Sequence, residues 1–421
     1  MSDAYGNDTE LKLLKLKKLF PEITDDSILL EILLSCDGSL SKTRSVLSEQ
    51  FEIGESCGKR KFDEESGSFG SKYQSSINHF FDGGSSKNKK LKLEINKSNT
   101  KTITLYTKED IEATIPYVTF HKNFLPPEIA DNALRYILQP EHHLKENEFY
   151  LFDNKCKSSH KSGIFSNPDP FITNLRTNRV FYDGKEVKNF NSYNNDMGII
   201  QVLIENLMEE LNSTRQKLSP FQPTEWKGDV CVVNRYDTKQ DHLDWHSDKL
   251  TNMGPLPTIL SLSLGATREF KLRKNHPFEN NPNPILSIPL PHNTLIIMHS
   301  GCQEEYKHCV MSSSRPIDGH TISKQVRVNL TYRYFHPRFQ TSNLPKCPKC
   351  KNSMLLRRSF KSVTSRGKYI WMCMGGYLGK NCNGFHWANF NKKDLITDDE
   401  NDCSEWIAKD DYEKLDYLGR K

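Results

Sequence analysis

A short polar segment ends in a histidine and an aspartate that are spaced to bind one metal ion. The segment starts at Asn234 and closes with the triplet His246-Ser247-Asp248. On a β-strand, residues i and i+2 point to the same face, so the imidazole and the carboxylate would reach the same ion. Two imidazoles and one carboxylate form the facial triad that holds non-haem Fe(II) with open positions. We predict that His308 is the third ligand.

A later segment supplies a place for an anion. In Arg327-Val328-Asn329-Leu330-Thr331-Tyr332-Arg333 every second residue is polar, so the polar side chains would share one strand face. Two cations on an inward face are costly without an anionic partner. A dicarboxylate such as 2-oxoglutarate, bound bidentately by arginine, supplies that partner. The alternative is an edge strand whose arginines point to solvent, and a lone H-x-D triplet is also weak evidence in a chain with 14 histidines.

Together these residues resemble the AlkB family of iron- and 2-oxoglutarate-dependent dioxygenases, over residues 115–336. The matching elements are N-x-Y at Asn234 and Tyr236, the H-x-D triplet, L-S-L-G-A-x-R-x-F at Leu262–Phe270, His308, and R-V-N-L-T-Y-R at Arg327–Arg333. The resemblance implies that His246, Asp248 and His308 bind iron. It also implies that 2-oxoglutarate is held by Asn234, Tyr236, Arg327, Asn329, Thr331 and Arg333.

One position departs from the family pattern. Members that repair DNA carry an acidic residue two places after the iron-binding aspartate, where it helps to recognise the damaged base, and this chain has Leu250 there. The preferred base is therefore left open by the sequence. The resemblance implies oxidative demethylation of N-alkylated bases such as 1-methyladenine and 3-methylcytosine in DNA, with release of formaldehyde and succinate.

The elements around these residues predict a mainly β catalytic domain over residues 103–340. Strands are predicted at Ile115–Phe120, Val230–Tyr236, Thr258–Leu264, Glu269–Arg273, Thr294–Met298 and Val326–Phe335, and helices at Pro127–Leu138 and Ile199–Leu211. Many short strands joined by Pro- and Asn-rich loops favour a two-sheet jelly roll. The resemblance implies the double-stranded β-helix, with the helices buttressing one sheet.

A polar and basic segment with scattered aromatic residues, Asn174–Tyr193, precedes the catalytic core. In the DNA-acting AlkB members this region forms a substrate lid. A methyl group inside a stacked duplex cannot be reached, so the base must be flipped out. We predict Phe190 and Tyr193 as stacking residues and Arg176 and Arg179 as phosphate contacts. For each of them, ordinary loop packing is the alternative.

Four cysteines have the spacing of a structural zinc site. Cys347 and Cys350 form a C-x-x-C pair, and Cys373 and Cys382 follow. Four thiolates at this spacing bind Zn(II) tetrahedrally. Disulfides are the alternative, but an odd count of 11 cysteines fits reduced thiols in the cytosol or nucleus better.

The segment around these cysteines, residues 341–390, resembles the GRF-type zinc finger. The resemblance is carried by Gly367-Lys368-Tyr369-Ile370 and by Cys382-Asn383-Gly384-Phe385-His386-Trp387. It implies a grip on single-stranded DNA. Cations and stacking faces for that task are predicted at Arg366, Lys368, Trp371 and Trp387. Residues 391–421 are acidic and are predicted to form a tail.

The N-terminal part contains two patterns typical of protein partners. Leucine stripes over residues 10–51 predict a small three-helix domain that resembles the ubiquitin-binding CUE domain at Phe20-Pro21 and Val46-Leu47, although any three-helix bundle would show such stripes. Residues 52–102 are rich in Ser, Gly, Lys and Asn and predict a disordered linker. Within it, residues 74–81 resemble the box that binds the sliding clamp PCNA. The box residues are Gln74, Ile77, Phe80 and Phe81.

Composition sets limits on the function. The 421 residues carry a net charge of +5, which permits a nucleic-acid partner. No apolar run of ~18 residues occurs, so we expect neither a membrane span nor a signal peptide. The combined segments predict a nuclear DNA-repair enzyme. Two alternatives stay open: the same chemistry on methylated RNA or protein, and a non-catalytic adaptor for ubiquitin, clamp and DNA.

Overall fold

The structure is a computed structural model. It describes residues 12, 15–17, 19–20, 40, 43, 101–151, 154–168, 181–182, 185–187, 189–275, 283–360, 362–375 and 382–420. The chain divides into two compact units, residues 1–96 and 97–421. In the first unit the described residues are helical apart from Phe20, and Leu16, Phe20 and Thr43 are buried.

The second unit contains five α-helices and nineteen β-strands among its described residues. The helices are α1 Lys108–Thr114, α2 Pro127–Ile137, α3 Asn195–Thr214, α4 Cys302–Glu305 and α5 Tyr412–Tyr417. The strands are β1 Thr102–Thr104, β2 Val118–Lys122, β3 Lys145–Leu151, β4 Asn154–Ser166, β5 Phe181–Tyr182, β6 Lys185–Glu186, β7 Asn191–Ser192, β8 Val230–Tyr236, β9 Leu243–His246, β10 Ile259–Gly265, β11 Arg268–Lys274, β12 Ile285–Leu290, β13 Thr294–Met298, β14 Tyr306–Val310, β15 Arg327–Arg333, β16 Met354–Arg358, β17 Tyr369–Cys373, β18 Phe385–Ala388 and β19 Ile396–Thr397. Short 3-10 helices lie at Pro337–Phe339, Thr341–Asn343 and Glu400–Asp402.

Eight consecutive strands, β8 to β15, form a jelly roll. The smaller sheet has the order β1-β12-β11-β14-β9, and the larger has the order β2-β13-β10-β15-β8-β4-β3, with β7 paired to β4. Every connection from β8 to β15 crosses between the sheets, except the one between β11 and β12. This is the winding of a double-stranded β-helix, as the sequence predicts. The long β3–β4 hairpin, which the sequence analysis did not predict, extends the larger sheet.

Alternation along the central strands sorts their side chains between two environments. On β15, Val328, Leu330 and Tyr332 belong to a core cluster with residues of α2 and α3, whereas the intervening polar residues line a cavity on the other face. The two helices therefore buttress the larger sheet from outside. Helix α3 starts at a defined point because the Asn194 side chain accepts a hydrogen bond from Met197 N at 3.0 Å.

A second core lies between the sheets. It contains Phe270 and Ile288 from the smaller sheet and Phe120 and Ile296 from the larger. Helix α1, which was also not predicted, contributes Ile111 to this cluster. A cavity adjoins this core and shares Phe270, Met298 and Val310 with it, while polar side chains of β15 form part of its wall.

The C-terminal strands β16 to β19 form a separate antiparallel sheet with its own core. The acidic segment after residue 390 belongs to this folded part and is not a tail, so that prediction was wrong. It contributes β19 and α5, and Asp411 and Lys414 are buried. The reason is charge pairing, since acidic residues of the segment neutralise Arg366 and Lys368 of the finger.

Within the described ranges, no helix has both the length and the apolar character needed to cross a membrane.

Candidate active site

The predicted iron ligands lie together on two adjacent strands and on the segment that follows one of them. His246 ends β9 and pairs directly with His308 on β14, and their ring centroids are 4.2 Å apart. Asp248 follows β9, and its Oδ1 lies 3.5 Å from His246 Nε2 and 3.6 Å from His308 Nε2. The register of one antiparallel pair therefore assembles a triad that sequence spacing alone leaves far apart.

The protonation states of the triad suit metal binding. His246 Nδ1 lies 2.7 Å from the carbonyl oxygen of Asp244, which can only accept, so Nδ1 donates and Nε2 is the ring nitrogen that faces the other two residues of the triad. Burial and the neighbouring His246 lower the pKa of His308 to about 4, so this ring is neutral at pH 7. Burial alone would raise the pKa of Asp248, but Arg333 and the two imidazoles hold it well below its usual range. Two imidazoles and a carboxylate are the donor set of the facial triad that binds Fe(II).

All six residues predicted to hold 2-oxoglutarate line the same cavity as the triad, which has a volume of about 300 Å³. Arg327 is 1% exposed and donates through Nη2 to Ser263 Oγ at 2.8 Å and to Asn329 Oδ1 at 3.0 Å. Its Nε and Nη1 have no hydrogen-bond partner among the described residues. Burial lowers the pKa of Arg327 to about 10, which still leaves a cation at pH 7. A buried guanidinium with spare donors fits a carboxylate ligand.

Arg333 lies at the other end of the same strand face. Its Nη2 donates to Asp248 Oδ2 at 2.5 Å, so this arginine contacts the candidate iron ligand directly. Asn329 and Thr331 lie between the two arginines and are joined by a hydrogen bond of 2.8 Å. The polar face of β15 therefore carries hydrogen bonds from Arg327 through Asn329 to Thr331, and its last residue, Arg333, contacts the triad.

Sequence reasoning missed three residues around the cavity. Ser261 on β10 donates a hydrogen bond to Asn329, and Ser263 accepts one from Arg327. The two serines alternate with leucines, so the pattern L-S-L-S-L was the signal that could have identified them. His160 on β4 stacks on Tyr236 with ring centroids 5.3 Å apart, and it lines the cavity. Nothing local in the sequence singles out His160, because it reaches the cavity only through the β4–β8 pairing.

Two of the four predicted lid residues fall within the described chain. Phe190 is half-buried against Ile164, Val230 and Val232, which line the cavity, so it remains a candidate near the substrate. Tyr193 is 7% exposed and belongs to the core shared with α2 and α3, so its assignment as a stacking residue was wrong. Its ring fills the space under the sheet instead. Arg176 and Arg179 lie outside the described residues.

The four predicted zinc ligands converge. The Sγ atoms of Cys347 and Cys382 are 3.6 Å apart and those of Cys350 and Cys373 are 3.3 Å apart, and no disulfide joins them. A Cβ added to Gly384 would lie 2.1 Å from Cys347 Sγ, so the backbone passes too close for any larger residue. Hydrogen bonding from the backbone at Asn352 and the neighbouring thiol of Cys373 lower the pKa of Cys350 to about 6, which favours the thiolate. The donor set fits Zn(II).

The finger presents different residues from those predicted for DNA. Trp371 is fully buried and donates to Leu395 O, and Arg366 is 4% exposed and paired with Asp411 and Glu413. Both assignments were wrong, because these side chains form the core and the pairing of the acidic segment. Trp387 is partly exposed, whereas the Lys368 side chain is only 12% exposed; Lys368 Nζ lies 5.5 Å from the Trp387 ring centroid and is paired with Glu400.

Of the residues predicted to contact ubiquitin and the clamp, only Phe20 is described. It is 7% exposed, so its ring is not offered to a partner in this structure and the assignment of Phe20 as a contact is corrected. Pro21, Val46, Leu47, Gln74, Ile77, Phe80 and Phe81 lie outside the described residues.

Comparison with known proteins agrees with this geometry. A family model described as the 2OG-Fe(II) oxygenase superfamily matches residues 118–333, just over half of the chain. Alpha-ketoglutarate-dependent dioxygenase alkB homolog 3 of Mus musculus is 43% identical over 110 residues, which are 25% of this chain and 36% of the relative. DNA oxidative demethylase ALKBH2 of Homo sapiens is 30% identical over 105 residues, 24% of this chain and 38% of the relative. The matched segments thus span little more than a third of these relatives.

Among solved structures, one described as the structure of OsALKBH1 covers 52% of this chain and 97% of that chain. Its sequence identity is 19% and its TM-score is 0.33, a likeness too weak to support a conclusion.

The chain belongs to the 2OG-Fe(II) oxygenase superfamily. Within that superfamily, about a quarter of the chain is similar to the two curated relatives named above.

Proposed function

We propose that this dioxygenase repairs DNA by removing N-methyl groups from alkylated bases. The observation that carries the proposal is the single cavity that contains both the two-histidine, one-carboxylate triad and a buried arginine with spare donors. The names of the partial relatives, a DNA oxidative demethylase among them, support the same chemistry. We assign iron to His246, Asp248 and His308.

The side chains of the cavity have distinct tasks in this reaction. Arg327 would bind a carboxylate of 2-oxoglutarate, assisted by Asn234, Tyr236, Asn329 and Thr331, while Arg333 holds Asp248 in place. Bound iron and 2-oxoglutarate supply the oxidising chemistry that consumes O₂ and releases succinate and CO₂. One oxygen atom of O₂ enters succinate, and the other is inserted into a C–H bond of the N-methyl group. The resulting N-hydroxymethyl group breaks its C–N bond to release formaldehyde, and the base nitrogen is restored.

The substrate we propose is unpaired or flipped DNA, because the cavity is enclosed by strands and admits a single base better than a stacked pair. The finger supplies a surface for the strand. Met372 and Phe385 pair across β17 and β18 and are 47% and 42% exposed, and Trp387 shares their face. Leu355 pairs with Met372 and lines the cavity, so this face borders the cavity entrance. Phe385 and the partly exposed Trp387 offer aromatic faces on which unpaired bases can stack.

Zinc is proposed for Cys347, Cys350, Cys373 and Cys382, where it would stabilise this face.

The preferred base depends on the position at which DNA-repair members of the AlkB family carry an acidic residue. Leu250 is 6% exposed and packs in the core of the finger, so it contributes no charge to base recognition. We therefore propose demethylation of both 1-methyladenine and 3-methylcytosine.

The test is mass spectrometry of single-stranded oligonucleotides that carry one 1-methyladenine or one 3-methylcytosine. Each is incubated with Fe(II), 2-oxoglutarate and either the wild-type protein or His246→Ala. We expect the loss of one methyl mass with wild type alone. An unchanged DNA oligonucleotide, beside a demethylated RNA of the same sequence, would refute DNA as the substrate.

Two partner contacts are proposed from sequence patterns alone, together with a nuclear location for the repair reaction. The box at residues 74–81 would bind the sliding clamp, and the N-terminal leucine-rich segment would bind ubiquitin. A peptide of residues 70–85 should bind purified clamp in a fluorescence-anisotropy titration, and the double substitution Phe80→Ala, Phe81→Ala should abolish binding. Equal binding of both peptides would reject the clamp contact.

A further inference from the structure

A short buried helix connects the two candidate metal centres. Helix α4, Cys302–Glu305, ends three residues before His308, and all four of its residues are at most 4% exposed. Two of these residues, Glu304 and Glu305, are carboxylates. A buried carboxylate is costly unless other groups donate hydrogen bonds to it, so the partners of these side chains show which parts of the protein the helix contacts.

On the side of the iron triad, α4 holds the H-x-D segment. Gln303 Oε1 accepts a hydrogen bond from the backbone N–H of Asp248 at 2.8 Å. The hydroxyl of Ser247 donates to the carbonyl oxygen of Tyr306, the residue directly after α4, at 2.9 Å. The position of the Asp248 carboxylate is thus tied to the position of this helix.

On the side of the finger, α4 is held by residues of the cysteine-bearing sheet and its C-terminal extension. Glu304 Oε1 accepts from Tyr369 Oη at 3.2 Å, and Arg358 Nη1 donates to the carbonyl oxygen of Glu304 at 2.5 Å. Glu305 Oε1 accepts from Trp406 Nε1 at 3.2 Å. Tyr369 begins β17, the strand that ends at Cys373. One strand therefore joins a zinc-ligand position to the helix.

A second connection passes through Leu250. This residue lies two places after Asp248, and its side chain packs in the same buried cluster as Cys347, Cys373 and Trp371. The chain is therefore anchored at two points next to the candidate iron ligand. Gln303 of α4 binds the backbone of Asp248, and Leu250 packs in the core that contains the cysteines.

We propose that the finger is a positioning element for the iron site, so that zinc at the four cysteines raises the affinity of the triad for its metal. The proposal rests on the two metal assignments made above. Loss of zinc would loosen the cluster around Leu250 and the contacts of Tyr369 and Arg358 with α4. Asp248 would then no longer be held in one position before the metal binds. The free energy needed to order it during binding would reduce the measured affinity. Because coupling is reciprocal, metal at the triad would strengthen zinc retention by the same factor.

The test uses the full chain and Mn(II), because carboxylate and imidazole ligands accept Mn(II) whereas thiolates select zinc. Calorimetric titration compares zinc-loaded protein, zinc-depleted protein and depleted protein after zinc is restored. Zinc content is measured in each sample, and the electron paramagnetic resonance signal of bound Mn(II) reports its surroundings. We expect depletion to weaken Mn(II) binding roughly 5- to 150-fold, the usual range for coupled sites, and restored zinc to recover it.

A variant tests the connection without removing zinc. Tyr369→Phe deletes only the hydroxyl that contacts Glu304, and with zinc bound it should weaken Mn(II) binding about fivefold. Tyr412→Phe is the matched control, because Tyr412 lies on α5 and is 50% exposed; it should change nothing. Unchanged Mn(II) affinity after confirmed loss of zinc, or equal effects of the two variants, would overturn the coupling. Should His246→Ala leave Mn(II) binding intact, the assignment of iron to the triad would fall as well.

Discussion

Arg327 connects the fold to the chemistry at the scale of single residues. It is buried by its position on the central strand β15, and it remains a cation with two donor nitrogens that no described residue satisfies. Such a group is costly in an apolar core and is stabilised once an anion binds. The guanidinium is also planar and presents donors in a fixed fork, which a lysine cannot reproduce.

Arg327→Lys should therefore raise the KM for 2-oxoglutarate by roughly 10- to 100-fold, because the charge is kept while the fork of donors is lost. Steady-state kinetics with varied 2-oxoglutarate measures the change. Arg235→Lys on the neighbouring strand β8 is the control, since Arg235 pairs with Asp237 outside the cavity. An unchanged KM in Arg327→Lys would mean that the carboxylate binds elsewhere.

Asp229 predicts a pH dependence of stability. Burial raises the pKa of this carboxyl to about 7, and its Oδ2 accepts a hydrogen bond from Phe335 N at 2.7 Å. Between pH ~4 and the folded-state pKa, the folded protein holds a proton that the unfolded chain releases, so the free energy of unfolding falls as the pH rises. Asp229→Asn keeps an acceptor and removes the ionisation.

We expect Asp229→Asn to be more stable than wild type at pH 8 by on the order of 2–4 kcal/mol, with the difference shrinking towards pH 4. Urea unfolding at several pH values would measure it. A difference that stays constant across this range would show that Asp229 ionises normally in the folded protein.

At this scale, residue types in a pattern predicted the triad and the polar face of β15, because ligand chemistry restricts which side chains serve. The same reasoning failed for Trp371, Arg366 and Tyr193. An aromatic ring or a guanidinium suits DNA binding and core packing equally well, and only burial distinguishes the two uses.

At the scale of elements, the pairing of β9 with β14 is the decisive feature, because it places His246 opposite His308. The sequence predicted β2, β8, β10, β11, β13 and β15, and the run before the H-x-D triplet, where β9 lies, was also read as a strand. The strands β12 and β14 and the helix α1 were not predicted; α1 buries only Ile111, so it carries no periodic apolar pattern. The acidic segment was misjudged because its charges are satisfied by partners that lie 30 or more residues away, as Lys368 and Glu400 do.

The pairing of Arg366 with Asp411 makes a prediction for this segment. The two side chains are each 4% exposed, and Nε and Nη2 of the arginine lie 2.7 and 2.8 Å from the carboxylate oxygens. Asp411→Ala would leave the buried guanidinium with only Glu413, whose side chain is 58% exposed, and would also remove the N-cap of α5, so it should lower the free energy of unfolding by about 2–4 kcal/mol. Asp398→Ala in the same segment should cost under about 1 kcal/mol, because the Asp398 side chain is 94% exposed beside His386. Chemical denaturation compares them, and equal costs would show that the segment is not held by this pair.

At the scale of the whole molecule, the jelly roll and the finger form one compact unit, residues 97–421. Leu250 illustrates what this changes. In the sequence it is the place where an acidic residue is missing, and in the structure it is a contact between the segment of the iron ligands and the core of the finger. No local pattern could reveal this, since the packing of the two parts depends on side chains that lie about a hundred residues apart in the chain, such as Leu250 and Trp371.

The central claim is that oxidation of 2-oxoglutarate is coupled to removal of a methyl group from DNA. The most direct measurement is the amount of formaldehyde and of succinate formed in one reaction with single-stranded DNA containing 1-methyladenine. We predict equal amounts of the two products, and little of either with the unmethylated strand. Succinate that forms at the same rate on both strands, without formaldehyde, would contradict the claim.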